Sequence, residues 1–180
     1  MDIEIDAEAK DKRLNRLVAL TVVVMSIFMG LSQVKDGNIV QAMAQAQSNA
    51  VDRWGEYQAT RTKLHIDETA LAQAKATPGL APEAARLTTE IAKYQKESPE
   101  LRKAAEGFQA QYDALNVHDD QFDASDAAIG VAVAIAAVAA LSESFPALVV
   151  AWLFGGFGVV MGLAGFLGWA LKSPLASLLS

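Results

Sequence analysis

The chain has 180 residues, 52% of them hydrophobic, with a formal net charge of −6 and no cysteine. The acidic balance, without a basic stripe, argues against a nucleic-acid partner. The lack of cysteine excludes disulfides, thiolate nucleophiles and cysteine-ligated metals. Charge is partitioned along the chain: residues 17–34 and 127–171 are nearly free of it, and residues 35–126 hold most of the acids and bases. Apolar residues gathered in such runs predict an all-α membrane protein with three transmembrane helices.

Residues 1–13 form a polar head in which Asp2, Glu4, Asp6, Glu8 and Asp11 mingle with Lys10, Lys12 and Arg13. It is expected to be frayed. Residues 14–34 are read as the first span, because the uncharged run Leu17–Val34 would cover about 27 Å as a helix. Ala42-Met43-Ala44 has the form of a signal-cleavage site, but it lies well past the apolar run. The segment therefore reads as an uncleaved anchor.

Residues 35–125 are predicted as a charged module of two helices, 39–76 and 82–125, joined by a turn at 77–81. Residues 39–76 lack proline and are rich in helix-forming Ala, Gln, Glu, Lys and Arg. Met43, Ala50, Tyr57, Leu64 and Leu71 recur every seven residues, with a mixed companion set of Ala46, Arg53, Thr60, Asp67 and Ala74. Pro78, Gly79 and Pro82 break the helix. The return arm repeats Leu87, Tyr94, Leu101, Phe108, Leu115 and Phe122 at seven-residue spacing, with Ile91, Ala105 and Tyr112 as companions. That is a coiled-coil seam, and two arms joined by a short turn predict an antiparallel hairpin. Ser98-Pro99 reads as a cap and first position where the helix restarts with a kink. A lone hairpin buries little surface, so the chain is expected to form a homo-oligomer or to be a subunit of a membrane complex.

Residues 126–142 are read as the second span and 147–171 as the third, with Ser142-Glu143-Ser144-Phe145-Pro146 between them. Trp152 and Trp169 suit two interfacial aromatic belts. Lys172 and Pro174 are expected to close the last helix, leaving 172–180 as a tail. Gly158 and Gly162 form a GxxxG pair, flanked by Gly155 and Gly165, and Ala128, Ala132, Ala136 and Ala140 give the second span a smooth face. Small residues of this spacing let helix backbones approach closely in lipid. Phe154, Phe157, Val160 and Leu167 are left to face lipid or a neighbouring subunit.

Lys10, Lys12, Arg13 and Arg16 precede the first span, and the connector at 142–146 has no base. The positive-inside rule then predicts a cytoplasmic N-terminus. Three spans would place the hairpin in the periplasm of a bacterial inner membrane.

Two constellations are weighed for chemistry. Trp54, Tyr57 and Gln58 could form a recognition patch, although Tyr57 already falls on the seam and packing is favoured. His118, Asp119, Asp120 and Asp123 cluster before the second span, where Asp119 and Asp123 could bridge a hard cation. A solvated helix face is favoured there, since a metal site needs more converging ligands. No catalytic motif, nucleotide loop or cofactor site is recognisable, and the apolar cores of the spans carry no ionisable residue. The expected function is a non-enzymatic scaffold or accessory subunit acting through the hairpin. The alternative is a small oligomeric channel or transport component.

The segment Ser48 to Ala59, with Trp54, Tyr57, Gln58 and Ala59 as its motif, resembles a bacterial membrane family catalogued as domain of unknown function 4337. His118 and Phe122 match a later His-then-Phe stretch, and Ile129 to Leu141 looks like the family's Ala-rich span. The resemblance covers roughly residues 14–171. Thr60 stands where the family usually has lysine, and Ser142-Glu143-Ser144 stands where arginines are common. The second departure leaves the N-terminal bases alone to set orientation. The resemblance implies the span order and no reaction.

Overall fold

A computed structural model describes residues 2–169, with side chains from Lys12 onward. It is all-helical over those residues: α1 is Asp2–Ala76, α2 is Ala81–Leu141 and α3 is Phe145–Leu167. All three helices contain stretches long and apolar enough to cross a membrane. The chain divides into two compact units, one built from residues up to Gln41 and from Leu115 onward, the other from Ala42 to Ala114.

Four boundaries differ from the sequence expectation. The head is helical from Asp2 instead of frayed. Ala7, Glu8, Ala9 and Lys10 are good helix formers, and no proline or glycine intervenes before Gly30. Helix α2 runs unbroken through Pro99. Ser98 does not cap a new helix there; its hydroxyl donates back to the Tyr94 carbonyl at 2.8 Å, a bond that a mid-helix serine commonly makes. The connector before α3 is only residues 142–144, because Ser144 caps the helix and Pro146 sits in its first turn. Finally, α3 ends at Leu167, earlier than expected. Gly168 adopts φ +69°, and Trp169 N donates to the Ala164 carbonyl at 3.0 Å. A glycine in the left-handed region closes a helix this way. Lys172 and Pro174, which were expected to end it, lie outside the described residues, as does the tail.

In the first unit, α3 lays its glycine face against the other two helices. A side chain added at Gly155 would meet Met25 of α1 and Ala132 of α2. One at Gly158 would come within 2.9 Å of the Ser125 carbonyl and 2.7 Å of Ile129 Cγ1. One at Gly162 would meet the Phe28 ring, and one at Gly165 the Phe122 ring. The small-residue face therefore packs helices of a single chain. Ala132, Ala136 and Ala139 are fully buried opposite it, and Ala128 nearly so. Lower in the unit, Leu14 and Val18 pack with Ala136, Ala139, Leu148 and Ala151. One polar tie crosses this apolar region: Trp152 Nε1 donates to Thr21 Oγ1 at 2.8 Å. Leu20, Val23, Val24, Ile27, Leu31 and Val34 of α1 stay exposed, as do Phe154, Val160 and Leu167 of α3. An apolar exterior suits lipid and would be costly in water.

The second unit comprises a portion of α1 and a portion of α2, joined by the turn after Ala76. Gly79 has φ +92° in that turn. Met43, Ala46, Ala50, Thr60, Leu64 and Ala74 are buried along the first arm. Tyr57, Asp67 and Leu71 are half-buried. The companion positions that looked mixed thus still point inward, except Arg53, which is exposed and pairs with Glu56 at 2.6 Å. Trp54 takes the inward place beside it. On the second arm Leu87, Ile91 and Ala105 are buried, and Tyr94, Leu101 and Phe108 are half-buried. Arg86 grips Glu83 and Glu90 on the outer surface.

Candidate functional site

The polar end of the first unit gathers four aspartates. Asp36 lies two residues past the apolar run of α1. Asp119, Asp123 and Asp126 recur at i, i+4 and i+7 on α2, which places them on one face. Asp36 and Asp119 interact side chain to side chain, and Asp126 keeps one oxygen, Oδ1, buried with no hydrogen-bond partner. One oxygen of Asp36, Oδ1, is buried with no hydrogen-bond partner.

Two carboxyl groups can share a hydrogen bond only if one carries a proton. Burial pushes the Asp36 carboxyl up from its ordinary 3.8 to about 6, with further upward pushes from Asp119, Asp123 and Asp126. Burial also raises Asp119, and Asp123 adds to that, while the bond from Asp36 pulls it back. The pair therefore retains a proton at mildly acidic pH that an isolated carboxylate would have lost.

Beside this cluster Gln121, almost fully buried, donates from Nε2 to the Trp169 carbonyl at 2.6 Å. His118 Nδ1 lies 3.2 Å from Gln121 Oε1. His118 is thus turned to Gln121, while Asp119 pairs with Asp36. Among the described residues no group of three or more His, Cys, Asp or Glu side chains could hold a metal. What the cluster can do chemically is hold and release a proton.

The residues singled out from sequence fall in both units. Trp54 and Tyr57 stack edge to face, with ring centroids 5.6 Å apart, and both are half-buried. Gln58 is exposed, and its backbone carbonyl accepts from Thr62 Oγ1. Leu115 is half-buried, while Phe122 is almost wholly buried and packs edge to face with Phe166, centroids 5.2 Å apart. Gly158 and Gly162 are buried where α3 meets α1 and α2.

A family model described as a domain of unknown function, DUF4337, matches residues 14–168. The chain belongs to the DUF4337 family. The match takes in all three apolar helix segments, the Trp54 motif and the acidic cluster. No curated protein and no solved structure was found to match this DUF4337 chain.

Asp36 was not singled out from sequence. The available signal was positional: Asp36 follows the first apolar run as Asp126 precedes the second. If the two helices run in opposite directions through the same layer, those two ends meet at one level.

Proposed function

We propose that the chain is a non-enzymatic integral membrane scaffold or accessory subunit, which self-associates or binds a partner through an antiparallel coiled-coil hairpin. The observation that carries this reading is that α1 and α2 each run unbroken from an apolar stretch into a charged, heptad-patterned arm. Helix continuity of this kind links whatever the arms hold to the membrane. Met43, Leu64, Leu87 and Ile91 of the two arms are buried while Val51 and Ile66 of the first stay largely exposed, which suits further packing by another chain. The bases Lys12, Arg13 and Arg16 beside the first span favour a cytoplasmic N-terminus and a periplasmic hairpin in a bacterial inner membrane.

The test is isolation of the full chain in mild detergent, followed by native mass spectrometry. A defined multimer, or a stoichiometric partner, is expected, and Leu101→Asp in the seam should abolish it while Lys103→Asp leaves it intact. A monomer with no co-purifying protein would overturn the scaffold reading. Ion flux through liposomes holding the purified chain alone would replace it with a channel.

A further inference from the structure

At the opposite end of the first unit from the aspartates, a cavity of about 580 Å³ opens beside the connector between α2 and α3. That volume lies in the range of about 300–1,000 Å³ typical of small-molecule sites. Arg13, Leu14 and Leu17 of α1 form one wall, and Glu143, Phe145 and Pro146 form the other.

Three features of its lining bear on what would occupy it. Arg13 and Glu143 line the same cavity, yet neither side chain makes an ion pair or hydrogen bond among the described residues. The cavity thus presents one cation and one anion that do not neutralise each other. Glu143 is also the only non-glycine residue with positive φ among the described residues, at +50°. Glycine or asparagine would hold that conformation with less strain. The chain thus holds an exposed carboxylate beside the cavity at some conformational cost. Besides Ser142 and Ser144 of the connector, the lining is apolar, from Leu14, Leu17, Phe145 and Pro146, and stands where the uncharged runs of the first and third helices begin. The hydroxyl of Ser144 is already engaged in capping Ala147 N, so the end of α3 is satisfied without a ligand.

A molecule matching this lining carries a phosphate for Arg13, an ammonium for Glu143 and an apolar portion for the leucines and Phe145. We propose that the cavity binds the headgroup of an aminophospholipid of the surrounding bilayer, with its phosphate on Arg13 and its ammonium on Glu143. Guanidinium and phosphate suit each other geometrically and electrostatically. An anionic lipid would satisfy Arg13 but be repelled by Glu143, so the glutamate supplies selectivity. This rests on the reading that the chain resides in a bilayer, and not on its role as a scaffold.

The experiment is native mass spectrometry of the full chain in mild detergent, titrated with phosphatidylethanolamine and with phosphatidylglycerol. The wild type should bind phosphatidylethanolamine more tightly. Glu143→Gln should weaken that binding by about fivefold, the scale of one exposed charge pair, and strengthen phosphatidylglycerol binding. Arg13→Gln should weaken both. A gain of phosphatidylglycerol binding in Glu143→Gln is not something a misfolded protein would show. Equal preference in the wild type, or an unchanged preference in Glu143→Gln, would overturn the site. Binding of water-soluble glycerophosphoethanolamine as tight as that of the lipid would overturn the bilayer source. A chain that does not partition into detergent micelles at all would instead overturn bilayer residence.

Discussion

Gly158→Ala adds one methyl group where α3 crosses α2. The new Cβ would stand 2.7 Å from Ile129 Cγ1, 2.9 Å from the Ser125 carbonyl oxygen and 3.2 Å from Ile129 N. Carbon atoms settle at about 3.5–4.0 Å, so the helices must separate by a large fraction of an ångström. Two of the three obstructing atoms are backbone and cannot rotate aside. Overpacking of this kind costs about 1–3 kcal/mol, offset by up to about 1 kcal/mol from alanine's better helix propensity. Gly156, two residues away, faces open space with nothing within 4 Å. Its alanine variant takes the propensity gain alone. The expected gap between Gly156→Ala and Gly158→Ala is therefore about 2 kcal/mol. Gly162→Ala should fall between them, because two of its three close contacts are atoms of the Phe28 ring, which can swing away. The assay is unfolding by sodium dodecyl sulfate in mixed micelles, read from Trp152 emission in a background with Trp54→Phe and Trp169→Phe. Equal midpoints for Gly156→Ala and Gly158→Ala would refute the close helix crossing.

The Trp152–Thr21 bond should be visible as a coupling energy of about 0.6 kcal/mol, and at most about 1.7, in a double-mutant cycle of Trp152→Phe and Thr21→Val. That cycle is read by circular dichroism during the same titration. The Asp36 carboxyl sets a pH dependence. Its folded value near 6 lies above the ordinary 3.8, so between about pH 4 and pH 6 the folded state keeps a proton the unfolded chain has lost. Stability should therefore be highest below about pH 4 and fall as pH rises, levelling off above about pH 6, and Asp36→Asn should flatten that slope. A slope that persists unchanged in Asp36→Asn would assign it to other groups.

The three helix stretches long and apolar enough to cross a membrane were legible because long uncharged runs bounded by charge stand out in a sequence. The inward-facing side of each charged arm was legible in part, since a seven-residue repeat survives substitution at single positions. Ala46, Thr60, Asp67 and Ala74 read as a mixed companion set, yet Ala46, Thr60 and Ala74 are buried and Asp67 is half-buried. Position along the helix decides which side chains turn inward, and side-chain type only adjusts how well they fit. The ends of elements were less legible. Pro99 is tolerated inside α2, and Gly168 ends α3 ahead of the expected Pro174. Both depend on local backbone conformation, which composition does not report. The pairing of Asp36 with Asp119 was hidden for a different reason. It joins residues 83 positions apart in the chain, and only the packing of two helices at one level brings them together.

If α2 crosses the bilayer, the helical turn and the short connector lie on opposite sides of it. The chain contains no cysteine, so single cysteines report cleanly. Leu80→Cys suits the turn, being exposed and free of the positive φ that Gly79 requires, and Ser142→Cys suits the connector, where the residue is exposed. In spheroplasts, a membrane-impermeant maleimide should label Cys at position 80 at once and Cys at position 142 only after lysis. Labelling of both positions from the same side of the membrane would contradict the account.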